Sequence, residues 1–311
     1  FSIYKNNIYI ADNIGFIYAI ALDSGKLIWI KNHGVPFKSK IKIFDNKIFL
    51  MNQDNKLLSF SVKDGSVIWN FTSLSSFIKS QNFLSLALSK QGDVIAITSL
   101  GDLLKINSTN GNIVWWHQIV PHDLSDWDCN WNIVLSNVTI DNSITKIILK
   151  SCKDGSLNAF NAQDGRLIWQ FNSPALIPCE FCNMIDPTDS ASLQKKWANY
   201  PEKSSFYRNP TSRGGFVSDI ALANDKVFVA SYNFWDYVAV LPVDIASSEG
   251  GKSLPPPKFL EYNTTIYAID VATGEPMWEY FIPNSGYRTS LVASGDLLYF
   301  SSTDLLLSTD V

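Results

Sequence analysis

The sequence predicts an all-β protein, a β-propeller assembled from four-stranded blades. Three observations carry this. A Gly-x-x-x-Trp motif occurs five times, at Gly25–Trp29, Gly65–Trp69, Gly111–Trp115, Gly165–Trp169 and Gly274–Trp278. An aliphatic residue stands twelve positions before each Trp: Ile17, Leu57, Leu103, Leu157 and Ile266. A strand-like run lies upstream of each unit, at Asn7–Ala11, Lys47–Asn52, Val94–Ser99, Lys146–Ser151 and Val227–Tyr232. A fixed internal offset that recurs along the chain marks a repeat architecture, and a unit of four strands at this spacing is a propeller blade.

The first unit shows the elements in order. In GFIYAIALDSGKLIW, Ile17, Ala19 and Ala21 alternate with Tyr18, Ile20 and Leu22, so both faces are apolar and the strand is expected to be buried on both sides. Asp23-Ser24-Gly25 reads as a tight turn, with the glycine free to take positive φ. Lys26–Ile30 is the return strand. The later copies read LLSFSVKDGSVIW, LLKINSTNGNIVW, LNAFNAQDGRLIW and IYAIDVATGEPMW. No helix of ten or more residues is expected over any of these hairpins; within Ser190–Tyr200, SLQKKWANY has helical composition. Each repeat Trp (Trp29, Trp69, Trp115, Trp169, Trp278) is expected to pack between neighbouring blades. The residue after it is Ile, Asn, Trp, Gln or Glu and never Asp, which argues against WD repeats.

The Trp spacings are 40, 46, 54 and 109 residues. Only one further hairpin falls in the last gap, so that blade is expected to carry insertions. The Pro- and Ser-rich segments 175–212 and 242–262 are read as those loops within a single propeller segment covering 1–311. The chain of 311 residues begins inside one blade and ends inside another. It is therefore expected to be a five- to six-bladed part of an eight-bladed propeller in a longer protein.

The formal net charge is −4, which opposes a nucleic-acid partner, since phosphate binding needs a basic face. No apolar run is long enough to span a membrane as a helix. Cys129 and Cys152 are placed near the meeting ends of adjacent antiparallel strands and are expected to lie within disulfide reach. Cys179-Glu-Phe-Cys182 is followed by Asn183 and not His, so covalent haem is not expected there. A local disulfide, free thiols and a metal site all remain open for that pair. A disulfide would place the protein in an extracytoplasmic compartment.

Residues 115–128, WWHQIVPHDLSDWD, resemble the Trp-x-x-Gln-x-x-Pro-His-Asp-x-x-Asp-Tyr/Trp-Asp segment of the quinoprotein alcohol dehydrogenases, through Gln118, Pro121, His122, Asp123, Asp126, Trp127 and Asp128. The stretch Lys146–Phe160 and the strand pair after Gly214-Gly215 are also similar to that family, and the order of blades to its polyvinyl-alcohol-dehydrogenase branch. The resemblance implies an eight-bladed propeller that uses pyrroloquinoline quinone and calcium to oxidise an alcohol or polyol. It places Lys153 where these enzymes contact the quinone, although a Lys in a turn also suits solvent. It gives His122, Asp123, Asp126, Trp127 and Asp128 as a structural motif, a hydrogen-bonded corner joining two blades.

The sequence departs from the family at the chemistry. Counting back from His122 over the family's interval to its catalytic base reaches Ala96; Asp93 or Asp102 serves only if the alignment shifts. Ile97-Thr98-Ser99-Leu100 stands where a calcium-binding Asn is expected, and Asn82-Phe83 where a Trp would lie under the quinone. Alcohol oxidation by a quinone needs a base for the hydroxyl proton and a hard cation for the quinone oxygen. Two functions follow: an extracytoplasmic quinoprotein dehydrogenase with a small alcohol substrate, or a non-catalytic propeller of the same descent that binds protein partners, as outer-membrane assembly scaffold lipoproteins with similar repeats do.

Overall fold

The computed structural model describes residues 1–72, 84–99, 101–120, 127, 129, 131–175, 204–208, 214–234, 236–240, 251–254, 262–286, 290–301 and 303–304. These residues form strands and turns, with no helix among them. Five four-stranded antiparallel sheets account for the five repeats, which gives the chain the blades of a β-propeller. The helical composition within 190–200 falls outside the described residues.

The chain divides into two compact units, Phe1–Ile119 with Ala162–Arg166, and Val120–Asn161 with Leu167–Val311. In the first unit, the first sheet runs Ser2–Tyr4, Asn7–Ala11, Phe16–Ala21, Leu27–Asn32. The second runs Lys42–Phe44, Lys47–Met51, Lys56–Ser61, Val67–Thr72. The third runs Ser85–Leu88, Val94–Ile97, Asp102–Ile106, Ile113–Gln118. In the second unit, one sheet holds Val134–Ile140, Ser143–Ser151, Ser156–Asn161 and Leu167–Asn172, and another Ala221–Ala223, Lys226–Asn233, Asn263–Asp270 and Pro276–Pro283.

The same local geometry explains the Gly-x-x-x-Trp spacing in each sheet. The glycine N–H closes a tight turn onto the carbonyl four residues earlier, as in Gly25 to Ala21, Gly65 to Ser61, Gly111 to Asn107 and Gly274 to Asp270, each at 2.9 Å. The turn glycines have φ between 65° and 78°, a region that disfavours any side chain. A β-bulge then follows at one fixed register in all five sheets, immediately after the residue that faces the Trp: Ala19, Ser59, Lys105, Ala159 and Ala268. The bulge absorbs the odd residue and swings the Trp to the face that packs.

The packing is a chain of contacts from each Trp to the turn of the following repeat. The indole N–H of Trp29 donates to the Val62 carbonyl at 3.1 Å, Trp69 to Ser108 at 3.0 Å, Trp115 to Ala162 at 3.3 Å and Trp169 to Val271 at 3.2 Å. Each acceptor lies three residues before the turn glycine. A Cβ built on Gly65, Gly111, Gly165 or Gly274 would fall 2.7, 2.8, 2.6 or 2.6 Å from the indole of the preceding repeat. The glycine is thus required twice, for its positive φ and for the indole lying on its Cα. Trp69, Trp115 and Trp169 are buried, as are Ile17, Leu57, Leu103, Leu157 and Ile266.

Two expectations need correction. Trp278 is 42% exposed, because no further Gly-x-x-x-Trp turn among the described residues lies on it; its ring meets Phe228 of its own sheet. In the first sheet only one face of the 16–21 strand is buried: Ile17 and Ala19 are covered, whereas Tyr18 and Ile20 are half-buried. The segments 175–212 and 242–262 each hold one strand that the composition did not signal, and both pair with Asp236–Val240, which lies between them. Ser204–Arg208, Asp236–Val240 and Gly251–Leu254 pair as a three-stranded antiparallel sheet.

Cys129 and Cys152 form a disulfide across a Cα separation of 4.3 Å, so the expected pairing is present. Cys179 and Cys182 lie outside the described residues. The bridge closes a loop of sequence separation 23, and cross-linking a loop of that size stabilises mainly by restricting the unfolded chain. The double variant Cys129→Ser, Cys152→Ser should lose about 3 kcal/mol in urea denaturation. Free thiols at both positions in the untreated protein would refute the pairing.

Candidate functional site

The residue carried over from the dehydrogenase resemblance, Lys153, sits in the second unit at the turn that follows the 143–151 strand. That strand is apolar because it is covered on both faces: Ile147, Ile148 and Leu149 have no exposure. Cys152, tied to Cys129, starts the turn. Gly155 N–H closes it onto the Cys152 carbonyl at 3.1 Å, and Asp154 accepts from the Ser156 N–H and hydroxyl at 2.9 and 2.7 Å. Lys153 is 7% exposed, so it is buried and does not extend into solvent.

The wall against Lys153 is the Gly214-Gly215 segment. Gly215 has φ +84°, and a Cβ placed on it would meet the Lys153 carbonyl oxygen at 1.9 Å. Two hydrogen bonds of 2.9 Å between Gly215 and Tyr232 hold it there. Beyond it, Phe216 is fully buried, and Val217 clusters with Tyr232, Phe234, Trp131 and Tyr262. The Phe234 and Tyr262 rings stack at 4.5 Å. The Ser218 hydroxyl is buried with no hydrogen-bond partner among the described residues.

A second lysine was not singled out by the sequence. Lys150 is fully buried, and its Nζ donates to the carbonyls of Trp131 at 2.8 Å and Asn132 at 3.3 Å. Asn132 is fixed in turn: its N–H donates to Asp219 at 2.8 Å, and its side chain exchanges two 3.0 Å bonds with Ile220. Burial holds the Lys150 amine down to about 7, against the opposing pull of the Asp219 charge. The available signal was a lysine inside the otherwise apolar run Ile147–Lys150.

The unfolded amine titrates near 10.5 and the folded one near 7, so between those values the unfolded chain holds more protons. Stability contributed by this group is complete above 10.5 and is lost as pH falls through about 7. Wild type minus Lys150→Met, measured by urea denaturation across that window, should show stability rising with pH. A flat difference would mean the amine is solvated.

In the first unit, the catalytic-base positions are all engaged. Ala96 is fully buried in the middle of the 94–97 strand, paired with Leu86 and Leu104. Asp93 and Asp102 lie at opposite ends of the 94–97/102–106 strand pair. Asp93 makes an ion pair with Lys105 at 3.3 Å. Asp102 accepts from the Thr98 hydroxyl at 3.2 Å, and burial pushes its carboxyl up against that bond. The hydroxyls where a calcium ligand would stand are also engaged: Thr98 with Asp102, and Ser99 with Asn55 at 2.8 and 3.0 Å. Calcium takes six or more oxygens free to turn towards it, at about 2.4 Å. The oxygens present are committed to one another, and no cluster of three His, Cys, Asp or Glu side chains able to hold a metal occurs among the described residues. Among the described residues this donor set does not fit the metal.

His122, Asp123, Asp126 and Asp128 lie outside the described residues, as do Asn82 and Phe83; Trp127 is described and half-buried. Lys153 belongs to the second unit, Asp93 and Asp102 to the first.

A protein-family model described as outer membrane protein assembly factor BamB matches residues 4–143. Three solved structures are similar over nearly the whole chain. The quinohemoprotein alcohol dehydrogenase of Pseudomonas putida HK5 matches with a TM-score of 0.69 at 12% identity, over 96% of this chain and 55% of that one. That of Comamonas testosteroni matches with 0.67 at 13% identity, over 93% and 54%. A europium-containing methanol dehydrogenase matches with 0.54 at 11% identity, over 94% and 69%. The chain spans about half the length of the first two. A search of curated proteins finds no match. The chain therefore has the fold of these pyrroloquinoline-quinone-type propellers and resembles the quinoprotein dehydrogenases.

Proposed function

We propose that this chain is an extracytoplasmic, quinoprotein-dehydrogenase-like propeller segment that acts as a protein-binding scaffold. The observation that carries the reading is a repeated one. The two residues before each repeat Trp lie on the last strand of their sheet, whose outer backbone edge has no neighbouring strand in that sheet among the described residues. They are Leu27-Ile28, Val67-Ile68, Ile113-Val114, Leu167-Ile168 and Pro276-Met277. Leu27, Ile28, Val67, Ile68, Ile113, Val114, Leu167 and Met277 are all exposed. Aliphatic side chains beside unpaired N–H and C=O groups make a surface that extended peptides can extend.

Extracytoplasmic placement is supported by the Cys129–Cys152 bridge, which persists in oxidising compartments. The family model over residues 4–143 is described by an outer-membrane assembly factor, which supports both placement and scaffolding. Against catalysis stand Ala96 at the base position and the committed Asp93 and Asp102.

A second reading is favoured by one observation, a buried Lys153 whose backbone lies against Gly215. A lysine ammonium suits the carboxylates of pyrroloquinoline quinone, so this position remains a proposed quinone contact for a small-alcohol dehydrogenase. Titration of the 311-residue protein with pyrroloquinoline quinone and calcium, followed by dye reduction with several alcohols, separates the two. The scaffold reading expects neither quinone binding nor dye reduction. Turnover that requires quinone and calcium would overturn it, and tight quinone binding weakened by Lys153→Ala would establish a cofactor site that has lost its base.

A further inference from the structure

Four Asn-x-Thr tripeptides without proline occur in the chain, at Asn70, Asn107, Asn137 and Asn263. This pattern is the acceptor for an N-linked glycan, and the fold separates the four. Asn263 lies on the 263–270 strand, in the interior of its sheet. Its side-chain oxygen accepts from the buried Asn233 amide at 2.6 Å, and Thr264 and Thr265 beside it are buried. A sugar on that amide would disturb both. Asn107 is half-buried, and its oxygen accepts from the N–H groups of Thr109 and Asn110 at 2.9 and 3.3 Å. The Trp69 indole docks on Ser108, the middle residue of that tripeptide.

Asn70 and Asn137 differ from these. Asn70 is on the last strand of the second sheet, and Asn137 on the first strand of the sheet that spans 134–172. In each, the strand alternation turns both ends of the tripeptide outward. Asn70 and Thr72 are exposed on either side of half-buried Phe71, and Asn137 and Thr139 on either side of buried Val138. Among the described residues no hydrogen bond holds either amide. The second sheet is packed from both directions, by Trp29 on its Gly65 and by its own Trp69 on Gly111, so Asn70 is exposed in a sheet whose neighbours are both in place.

We propose that Asn70 and Asn137 carry N-linked glycans, a modification that rests on the extracytoplasmic placement above. The co-reactant is a lipid-linked oligosaccharide diphosphate. The asparagine Nδ2 forms a bond to C1 of the first sugar as the C1–O bond to the diphosphate breaks. The lipid diphosphate leaves with the electron pair, and the amide gives up one proton. At Asn70 the sugar stands on the same edge strand as the exposed Val67 and Ile68. A bulky hydrated chain there keeps extended peptides off that edge, as charges and prolines do on other exposed edges. Peptide addition to the scaffold is thereby left to the other sheets.

The test uses the protein recovered from the cells that make it. After treatment with peptide-N-glycosidase in heavy-oxygen water, peptide masses should show Asn70 and Asn137 as labelled aspartate, and Asn107 and Asn263 as unlabelled asparagine. Asn70→Gln and Thr72→Ala should each remove the mass of one glycan from the intact chain, and Thr72→Ser should keep it, since the acceptor pattern requires the hydroxyl. An unlabelled Asn70 or Asn137, a labelled Asn107 or Asn263, or a glycan retained in Thr72→Ala overturns the proposal. Thiol labelling of the same material separates the causes. Bare Asn70 and Asn137 with the Cys129–Cys152 bridge intact overturn the glycan sites and leave the extracytoplasmic placement standing, whereas bare asparagines with free thiols overturn both.

Discussion

Trp69→Ala and Trp169→Ala should each cost about 3–5 kcal/mol, the range for removing a large aromatic from a packed interior. Both indoles are 9% exposed. Trp69 lies against Phe49 with ring centroids 5.8 Å apart and covers the Cα of Gly111; Trp169 covers Gly274 in the same way. Truncation opens a cavity the size of an indole. It also leaves the carbonyls of Ser108 and Val271 without the N–H they accept, and an abandoned buried acceptor adds roughly 1–3 kcal/mol. The neighbouring turn cannot collapse into the space, since its backbone is held by the 2.9 Å closing bonds at Gly111 and Gly274. Urea denaturation of the two variants gives the loss. Trp278→Ala, in dilute monomeric protein, should cost under about 1 kcal/mol, because its ring is already half in solvent. Equal losses at Trp69 and Trp278 would refute the account of what the repeated Trp does.

The fold was legible because it is written five times over. Ile17, Leu57, Leu103, Leu157 and Ile266 are buried as their offset implies, and the upstream strands run close to the expected bounds, as at Asn7–Ala11. The sequence could not show that the Gly and the Trp of one motif touch different repeats. A fixed spacing reports covalent neighbours, whereas the contact runs from Trp29 to Gly65 and from Trp69 to Gly111. The exposure of Trp278 was hidden for the same reason: its burial depends on a turn supplied from elsewhere, not on its own hairpin. The three-stranded sheet made by Ser204–Arg208, Asp236–Val240 and Gly251–Leu254 was missed because SSFYR and GKSL have little apolar alternation. At the candidate site, Lys153 could be placed by resemblance, but its burial and the approach of Gly215 to its backbone, some sixty positions away, could not. Lys150 carries no motif at all, and only the carbonyls of Trp131 and Asn132 explain it.

Gly215→Ala should lose on the order of 3 kcal/mol or more, and it tests the wall of the Lys153 site directly. Two costs add. At φ +84° an alanine is strained by about 1–2 kcal/mol relative to glycine. The added methyl would also fall 1.9 Å from the Lys153 carbonyl oxygen and 2.6 Å from its carbon, so one backbone must move. That backbone is not free to yield. On one side the two 2.9 Å bonds to Tyr232 hold Gly215, and fully buried Phe216 follows it. On the other, the turn that carries Lys153 is anchored by the Cys129–Cys152 bridge. Gly25→Ala separates the two costs, because Gly25 shares the positive φ, at +65°, and has open space where the methyl would go. In dilute protein Gly25→Ala should lose only the conformational part, about 1 kcal/mol. Denaturation midpoints of the two variants make the comparison. A Gly215→Ala loss no greater than that of Gly25→Ala would mean that the glycine pair does not press on Lys153, and the site would then have no rigid wall on that side.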